Sequence, residues 1–382
     1  MATTDRPAAE PTDAASDIVT ALADAELAHL VVASDGDCLA AAGIVAAACR
    51  ATGIPYHVST ARTTEAVRER LAAGDEAATP VLIGASDGDA TALDLSGAVS
   101  PHADSAARAL GYDPDPIHAL AGVVAAGAVP SQTTPELLEA AGLERQPGLG
   151  VPTDDLADGL AHSGLFHAAF SGDRDAAADA LADVGLPNAR AADLDAEAAR
   201  RAGSFLALVA GSAADASPTA ARAIERALRP HRTDGPFRTL GGYADVLTAL
   251  AEQAPGLGVA LIVGSDGREA ALEAWREHGR TVHAAVRAAD TARYSGLLVA
   301  RTNGPTAAVA RLLRDYRSPE PAVLAIGNGE AAAAATEPPV DAVLAAGAEA
   351  AAGSMLARGV RGTATFDPDC TERFIEAFRE AS

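Results

Sequence analysis

The sequence contains no lysine and very few aromatic residues. All 29 formal cations are therefore arginines, set against 52 Asp and Glu residues, and the formal net charge is −23. Aromatic residues make up 3% of the chain, so alanine, valine and leucine must fill its core. Repulsion among so many carboxylates is tolerable where molar salt shortens the Debye length to about 3 Å. The composition therefore indicates a halophilic protein.

Cysteine is also scarce, and no long apolar run is present. Cys38, Cys49 and Cys370 are odd in number and form no CxxC pair, which argues against a disulfide framework or a zinc finger and fits a reducing cytoplasm. No uncharged run of about 18 apolar residues predicts a membrane span. Residues 1–16 are polar, so we expect a disordered tail there rather than a signal peptide. The expected location is the cytoplasm.

Apolar strands alternate with helical segments in two blocks of the sequence. This alternation is typical of an α/β protein with parallel strands, so we predict two α/β domains joined by a helical connector. A stretch rich in proline, glycine and arginine at 229–242 suggests the boundary. Within the second block we expect a strand at 258–263, and for the alanine tract at 329–337 we expect a solvent-facing turn of helix.

Two aspartates, Asp35 and Asp37, follow the first apolar strand directly. At the carboxyl end of a parallel strand such residues point into the crevice where ligands bind, and together they can share Mg²⁺ or Mn²⁺. The other interpretation is a helix N-cap, which also favours acidic residues.

The sequence around these aspartates occurs twice. Ala-Ser-Asp-Gly-Asp at 33–37 recurs at 85–89, each time after an apolar strand. The repeat indicates either an acidic crevice shared by two strands or a turn that suits a halophile, and Ser-Asp-Gly at 265–267 favours the turn.

Several segments resemble one superfamily in the order that this superfamily has them. VVASDGDCLAAAGIV (31–45) is similar to the first motif of the DHH phosphoesterases, and 241–275 resembles the passage into the second domain of archaeal, haloarchaeal-type RecJ-like exonucleases. Later segments follow the order of the DHHA1 domain, at 296–302, 307–316, 322–330 and 361–366. The resemblance implies an N-terminal parallel-sheet DHH-like domain with a helical connector at 17–230 and a smaller C-terminal DHHA1-like α/β domain at 231–382. It also implies Mn²⁺ or Mg²⁺ as cofactor.

The defining motifs of that superfamily are degenerate in this chain. No His-His dipeptide occurs, and the usual ligand position after the third strand falls near Ala85 and Ser86. The substrate-gripping loop of the DHHA1 domain reads AAGSMLARG at 351–359. The resemblance implies four vestigial metal ligands, which are Asp35, Asp37, Asp87 and His102.

This residual set of ligands decides what catalysis to expect. Two-metal phosphodiester hydrolysis needs enough ligands to hold two cations about 3.5–4 Å apart. We therefore predict that the chain is catalytically inactive. The alternative is an active metal-dependent single-strand exonuclease or phosphodiesterase that uses a reduced ligand set.

Arginines of the DHHA1-like region are the candidates for contact with nucleic acid. They are Arg301, Arg311, Arg314, Arg358 and Arg361. Guanidinium groups match phosphate oxygens well, although each arginine can instead pair with one of the abundant carboxylates. The superfamily contains a eukaryotic replicative-helicase cofactor that has lost catalysis. By this analogy we expect a replication or repair protein that binds single-stranded DNA or RNA, with GINS/MCM-type replisome proteins as possible partners and no membrane association.

Overall fold

The computed structural model describes residues 13–87, 90–93, 97–211 and 216–382. The chain divides into two compact units, one formed by 1–144 with 250–271 and the other by 145–249 with 272–382. This division differs from a single boundary at residue 230, because residues 145–249 pack with the C-terminal part of the chain. The domain limits given above remain a prediction. Of the expected tail, residues 1–12 lie outside the described residues, whereas 13–16 already belong to a helix.

The first unit is built on a parallel sheet in the order β2-β1-β3-β4. Its strands are β1 (Leu27–Ala33), β2 (Tyr56–Ala61), β3 (Ala78–Ile83) and β4 (Thr91–Leu93). Its helices are α1 (Asp13–Ala23), α2 (Gly36–Thr52), α3 (Thr64–Ala72), α4 (Ser100–Ala109), α5 (Pro116–Ala125), α6 (Pro130–Thr133), α7 (Pro135–Ala140) and α13 (Pro255–Val263). The parallel sheet with intervening helices confirms the predicted fold class for this part of the chain.

Helix α2 is the central helix of the first unit. Every residue from Gly36 to Cys49 is buried, and most of them are small. Small side chains let neighbouring helices approach closely: a Cβ added at Gly43 would stand 2.7 Å from Ile262 of α13. Gly258 of α13 is equally close to α2, where an added Cβ would meet Leu39 at 2.4 Å. Close packing on α2 therefore defines this core.

The prediction of a strand at 258–263 is wrong, because this segment lies within helix α13. A short apolar run cannot by itself distinguish a strand from a buried helix. The residues at the two ends of the segment indicate that it is a helix. Pro255 occupies the first helical turn, and Gly264 ends the helix in the left-handed conformation at φ 92°.

The second unit contains a mixed six-stranded sheet in the order β5-β6-β7-β8-β10-β9. Its strands are β5 (Asp290–Tyr294), β6 (Leu297–Arg301), β7 (Ala322–Ile326), β8 (Glu330–Ala335), β9 (Ser354–Arg358) and β10 (Arg361–Thr365). Its helices are α8 (Leu156–His162), α9 (Arg174–Asp183), α10 (Ala196–Gly211), α11 (Ala220–Ile224), α15 (Thr306–Tyr316), α16 (Asp341–Ala350) and α17 (Thr371–Ala381). Helices α12 (Leu240–Gln253) and α14 (Arg268–Ala288) contribute residues to both units. Strands β6 and β7 are parallel, and the other pairs are antiparallel.

The alanine tract forms strand β8, which corrects the prediction of an exposed turn of helix. Successive side chains of a strand point to opposite faces of the sheet. Ala332 and Ala334 accordingly pack into one hydrophobic cluster, and Ala331, Ala333 and Ala335 pack into another. The tract is buried because it separates two cores. The composition of the tract alone suggested a low-complexity surface segment. Only the strands on either side of the tract indicate that it is a buried strand.

Within the described ranges, the structure has no helix with the length and hydrophobicity that a bilayer-spanning segment needs.

Candidate functional site

The candidate site lies at the carboxyl end of β1, where the chain enters α2. Asp35 is the N-cap of α2, and its side chain accepts a hydrogen bond from the backbone N–H of Cys38 at 2.9 Å. The thiol of Cys38 donates to the other carboxylate oxygen at 3.1 Å. The N-cap interpretation of Asp35 is therefore confirmed, because the side chain satisfies a donor of the first helical turn.

Asp37 lies in the first turn of α2, is fully buried and caps the start of another helix, α4. Its carboxylate accepts hydrogen bonds from the backbone N–H of Val99 at 2.7 Å and of Ser100 at 3.1 Å, at the start of α4. The structure gives Val99, the N-cap residue of α4, no side-chain cap of its own. Hydrogen bonds to an ionised acceptor are strong, and buried carboxylates need such partners. Asp37 thus holds α4 against α2.

Asp35, Asp37 and Cys38 bring three possible metal-ligand atoms within 4.8 Å of one another, and no other such group occurs among the described residues. Carboxylate oxygens suit Mg²⁺ or Mn²⁺, but a thiolate is a soft ligand that these ions do not prefer. The two aspartates also have backbone N–H groups as partners. This donor set fits a single cation and does not fit a two-metal centre.

The other two proposed ligands lie outside this group. Strands β1 and β3 are adjacent and parallel, as the repeated motif requires, but Asp87 forms an ion pair with Arg68 at 3.0 Å. His102 lies in the first turn of α4 and is half-buried, and burial lowers its pKa. Asp89 of the repeat lies outside the described residues. The structure therefore brings together Asp35 and Asp37 and, with them, Cys38, which the sequence had suggested neither for a disulfide nor for a zinc site.

Two of the five proposed nucleic-acid contacts are in the interior of the second unit. Arg311 is 9% exposed and donates to the carbonyl of Gly164 at 2.7 Å. Arg314 is 6% exposed and donates to Asp315 and to the carbonyl of Ala335. Their i, i+3 spacing places both on the face of α15 that meets the core. Contact with nucleic acid requires exposed side chains. The burial of Arg311 and Arg314 therefore corrects their prediction as contacts.

The remaining three arginines reach the surface. Arg301 pairs with Glu372 at 2.6 Å, as the carboxylate-pairing alternative expects. Arg358 and Arg361 are half-exposed and lie directly opposite each other across the β9–β10 hairpin, where Gly359 supplies the positive φ of a two-residue turn. Burial, followed by the charges of Arg311, Arg314 and Arg226, lowers the pKa of Arg361 to about 9. The hairpin thus adjoins a concentration of positive charge.

Sequence reasoning missed the residues that organise this charge. Asp315 lies between Arg226 and Arg314 and forms ion pairs with both. Asp245 is buried nearby in the same unit, where it accepts hydrogen bonds from the indole N–H of Trp275 and the backbone N–H of Gly164. A carboxylate directly after an arginine in a largely apolar helix, as in Arg314-Asp315, is the local signal that the sequence carries.

Comparison with known proteins identifies relatives along the whole chain. Residues 289–380 match the family model described as "Uncharacterized protein rrnAC1427, C-terminal domain". The full protein rrnAC1427 of Haloarcula marismortui is 44% identical over 379 residues, which cover 97% of this chain and 98% of that protein. This relationship extends across both units.

Solved structures show similarity at the level of the fold. CDC45 from Entamoeba histolytica superposes with a TM-score of 0.59 and 11% identity, covering 96% of this chain and 97% of that one. A structure of exonuclease RecJ bound to manganese covers 96% and 93% with a TM-score of 0.43 and 14% identity. The similarity to CDC45 confirms the predicted two-domain α/β fold.

Proposed function

Since the chain belongs to the rrnAC1427 family and has a CDC45-like fold, we propose that it is a non-catalytic protein of replication or repair that binds single-stranded nucleic acid. The observation that carries this proposal is the position of Asp37. Its carboxylate caps a helix through Val99 and Ser100, so a residue that the superfamily uses for metal has a structural task here. GINS/MCM-type replisome proteins are the partners that the proposal implies.

The charge distribution supports the β9–β10 hairpin as the contact for nucleic acid. Arg358 and Arg361 are partly exposed and flank one turn, and the guanidinium groups of Arg226, Arg311 and Arg314 add positive charge to the same unit. A phosphate backbone would relieve the repulsion among these cations. Such a contact reads charge rather than sequence, so DNA and RNA strands should both bind.

Binding can be tested by fluorescence anisotropy with labelled single strands, in buffers of decreasing KCl concentration. We expect the double variant Arg358→Ala/Arg361→Ala to bind at least about tenfold more weakly and with a shallower salt dependence, because two phosphate contacts are lost. Arg190→Ala is the matched control, since Arg190 is an exposed arginine that pairs with Asp154 elsewhere in the same unit. Equal affinity of the double variant and the control would reject the hairpin as the interface.

The alternative of an active exonuclease rests on the close approach of Asp35, Asp37 and Cys38. Purified protein in molar KCl with Mn²⁺ and end-labelled strands distinguishes the two functions. We expect no strand shortening above that of Asp35→Asn protein purified in parallel. Shortening by the native protein that Asp35→Asn abolishes would replace the non-catalytic proposal with the exonuclease.

A further inference from the structure

Two histidines stand side by side on the sheet of the first unit. His29 of β1 and His57 of β2 are register partners in a parallel pair, so their side chains leave the same face of the sheet. The ring centres lie 5.2 Å apart, with 48° between the ring planes. Neither residue belongs to the Asp35–Cys38 group, since His29 and His57 lie at the opposite, amino-terminal half of their strands.

This separation is the one expected of two imidazoles that share a metal ion. With Zn–N bonds of about 2.0–2.1 Å and a tetrahedral angle, two ligating imidazole rings have centres about 5 Å apart. The distance between the ring centres is therefore compatible with a shared ion. Adjacent strands fix the two Cα positions, so only the side-chain torsions that orient the rings can still change.

The surroundings of His29 prepare one of its nitrogens as a ligand. Nε2 lies 2.9 Å from the hydroxyl of Ser59, and in the tautomer that donates this hydrogen bond Nδ1 carries the lone pair. Metal-ligating histidines generally use their second nitrogen in this way. Burial, and then the charge of His57, lowers the pKa of His29, which favours the neutral ring that binds metal.

Space at Nδ1 depends on a glycine. A Cβ added at Gly74 would stand 2.9 Å from Nδ1 of His29, so any side chain at this position would crowd the ligand atom. Both histidines line a cleft of about 640 Å³, which also includes Gly74, Arg70 and the carboxylate-bearing Asp75. His57 is exposed to solvent. An ion can therefore enter, and water can complete its coordination.

A second histidine pair in the chain shows what an unsuitable arrangement looks like. The rings of His167 and His283 are also 5.2 Å apart, but their Nδ1 atoms face each other at hydrogen-bond distance, 3.0 Å. Both residues are buried, at 3% and 0% exposure. Ring separation alone thus does not make a site. The first pair differs because one member, His57, is exposed, whereas His29 is itself 5% exposed and reaches the cleft only through its lining.

We propose that His29 and His57 bind a divalent transition-metal ion of the Zn²⁺ class in this cleft. Imidazole nitrogen suits Zn²⁺, Cu²⁺ and Ni²⁺ and suits Mg²⁺ poorly, so the site is chemically distinct from an oxygen-ligand centre. With two protein ligands and water it binds more weakly than a four-ligand structural zinc site. The proposal does not depend on whether the chain binds nucleic acid.

Calorimetric titration of the tag-free, chelator-treated full chain with ZnCl₂ tests the site. We expect about one equivalent to be lost, or bound at least about tenfold more weakly, in His57→Ala, whose side chain is exposed. Gly74→Ala keeps both histidines but obstructs Nδ1, so it should weaken the same binding event. His231→Ala, a histidine substitution in the other unit, is the control and should bind as the native chain does.

Cobalt absorption separates this site from the Asp35–Cys38 group. Co²⁺ held by imidazole and water gives weak d–d bands without thiolate charge transfer. A charge-transfer band that persists in His57→Ala and disappears in Cys38→Ala would place the ion at the thiol and overturn the proposal. Absence of Zn²⁺ binding, or unchanged binding in His57→Ala, would overturn it equally.

Discussion

The carboxylate of Asp37 lies 2.7 Å from the backbone nitrogen of Val99, so a residue in the first turn of one helix caps the beginning of another 62 residues later. The arrangement is buried and charge-assisted. It gives Asp37 a structural role in the first unit that does not require a metal ion.

Asp37→Ala should therefore act on stability. Removing the carboxylate leaves the N–H groups of Val99 and Ser100 without this acceptor, and we expect the free energy of unfolding to fall by about 3 kcal/mol. Asp87→Ala removes a partly exposed partner of the exposed Arg68 and should cost about 0–1 kcal/mol. Chemical denaturation in high salt measures both. Equal costs for the two variants would contradict the capping role.

A close approach between two helices gives a second prediction about stability. Gly43→Ala forces a Cβ to within 2.7 Å of Ile262, so we expect a loss of about 1–3 kcal/mol from overpacking. Gly256→Ala is the matched control in α13, because nothing lies within 4 Å of its added Cβ. It should stabilise the chain by about 0.5–1 kcal/mol through helix propensity. Thermal unfolding of the two variants should shift in opposite directions.

The buried carboxylate Asp315 makes stability depend on pH. Burial alone would raise its pKa, but Arg226, Arg314 and Arg311 lower it below the value in the unfolded chain. A lowered folded pKa means that the stabilisation is fully present above the unfolded pKa of about 4 and is lost as the pH falls through the folded value. We expect Asp315→Asn to be less stable at neutral pH and to show a flatter loss of stability below about pH 4. A pH profile parallel to that of the native chain would contradict this.

Salt should stabilise the protein strongly. With 52 carboxylates and no lysine, like-charge repulsion acts across the whole surface, and added KCl screens it. We expect the melting temperature to rise steeply between about 0.2 M and about 3 M KCl. A melting temperature that does not change over this range would refute the halophilic interpretation.

The sequence predicted the elements whose ends carry chemical signals. The strand before Asp35 and the helix after it both follow from apolar residues that end or begin at a capping residue. Prediction from the sequence failed where a side chain contacts a residue that is far away in the chain. No local pattern reveals that Asp37 reaches Val99 or that Arg311 reaches Gly164, because each contact joins segments far apart in the chain.

The same limit applies to burial. Arg311 and Arg314 look like surface cations by residue type, and only the packing of α15 on the sheet makes them interior. The histidine pair is the opposite case, since His29 and His57 are register partners in two adjacent parallel strands. Their proximity could have been inferred once the strands were taken as parallel neighbours.

Strand β8 has one further consequence for how this chain tolerates change. From Ala331 to Ala335 no side chain exceeds a methyl group, and successive residues face different cores. A larger residue at any of these five positions would push one layer of helices away from the sheet, and the layer on the opposite face could not compensate. The least complex stretch of the sequence is therefore a spacer of fixed thickness, and random mutagenesis should find it among the least permissive.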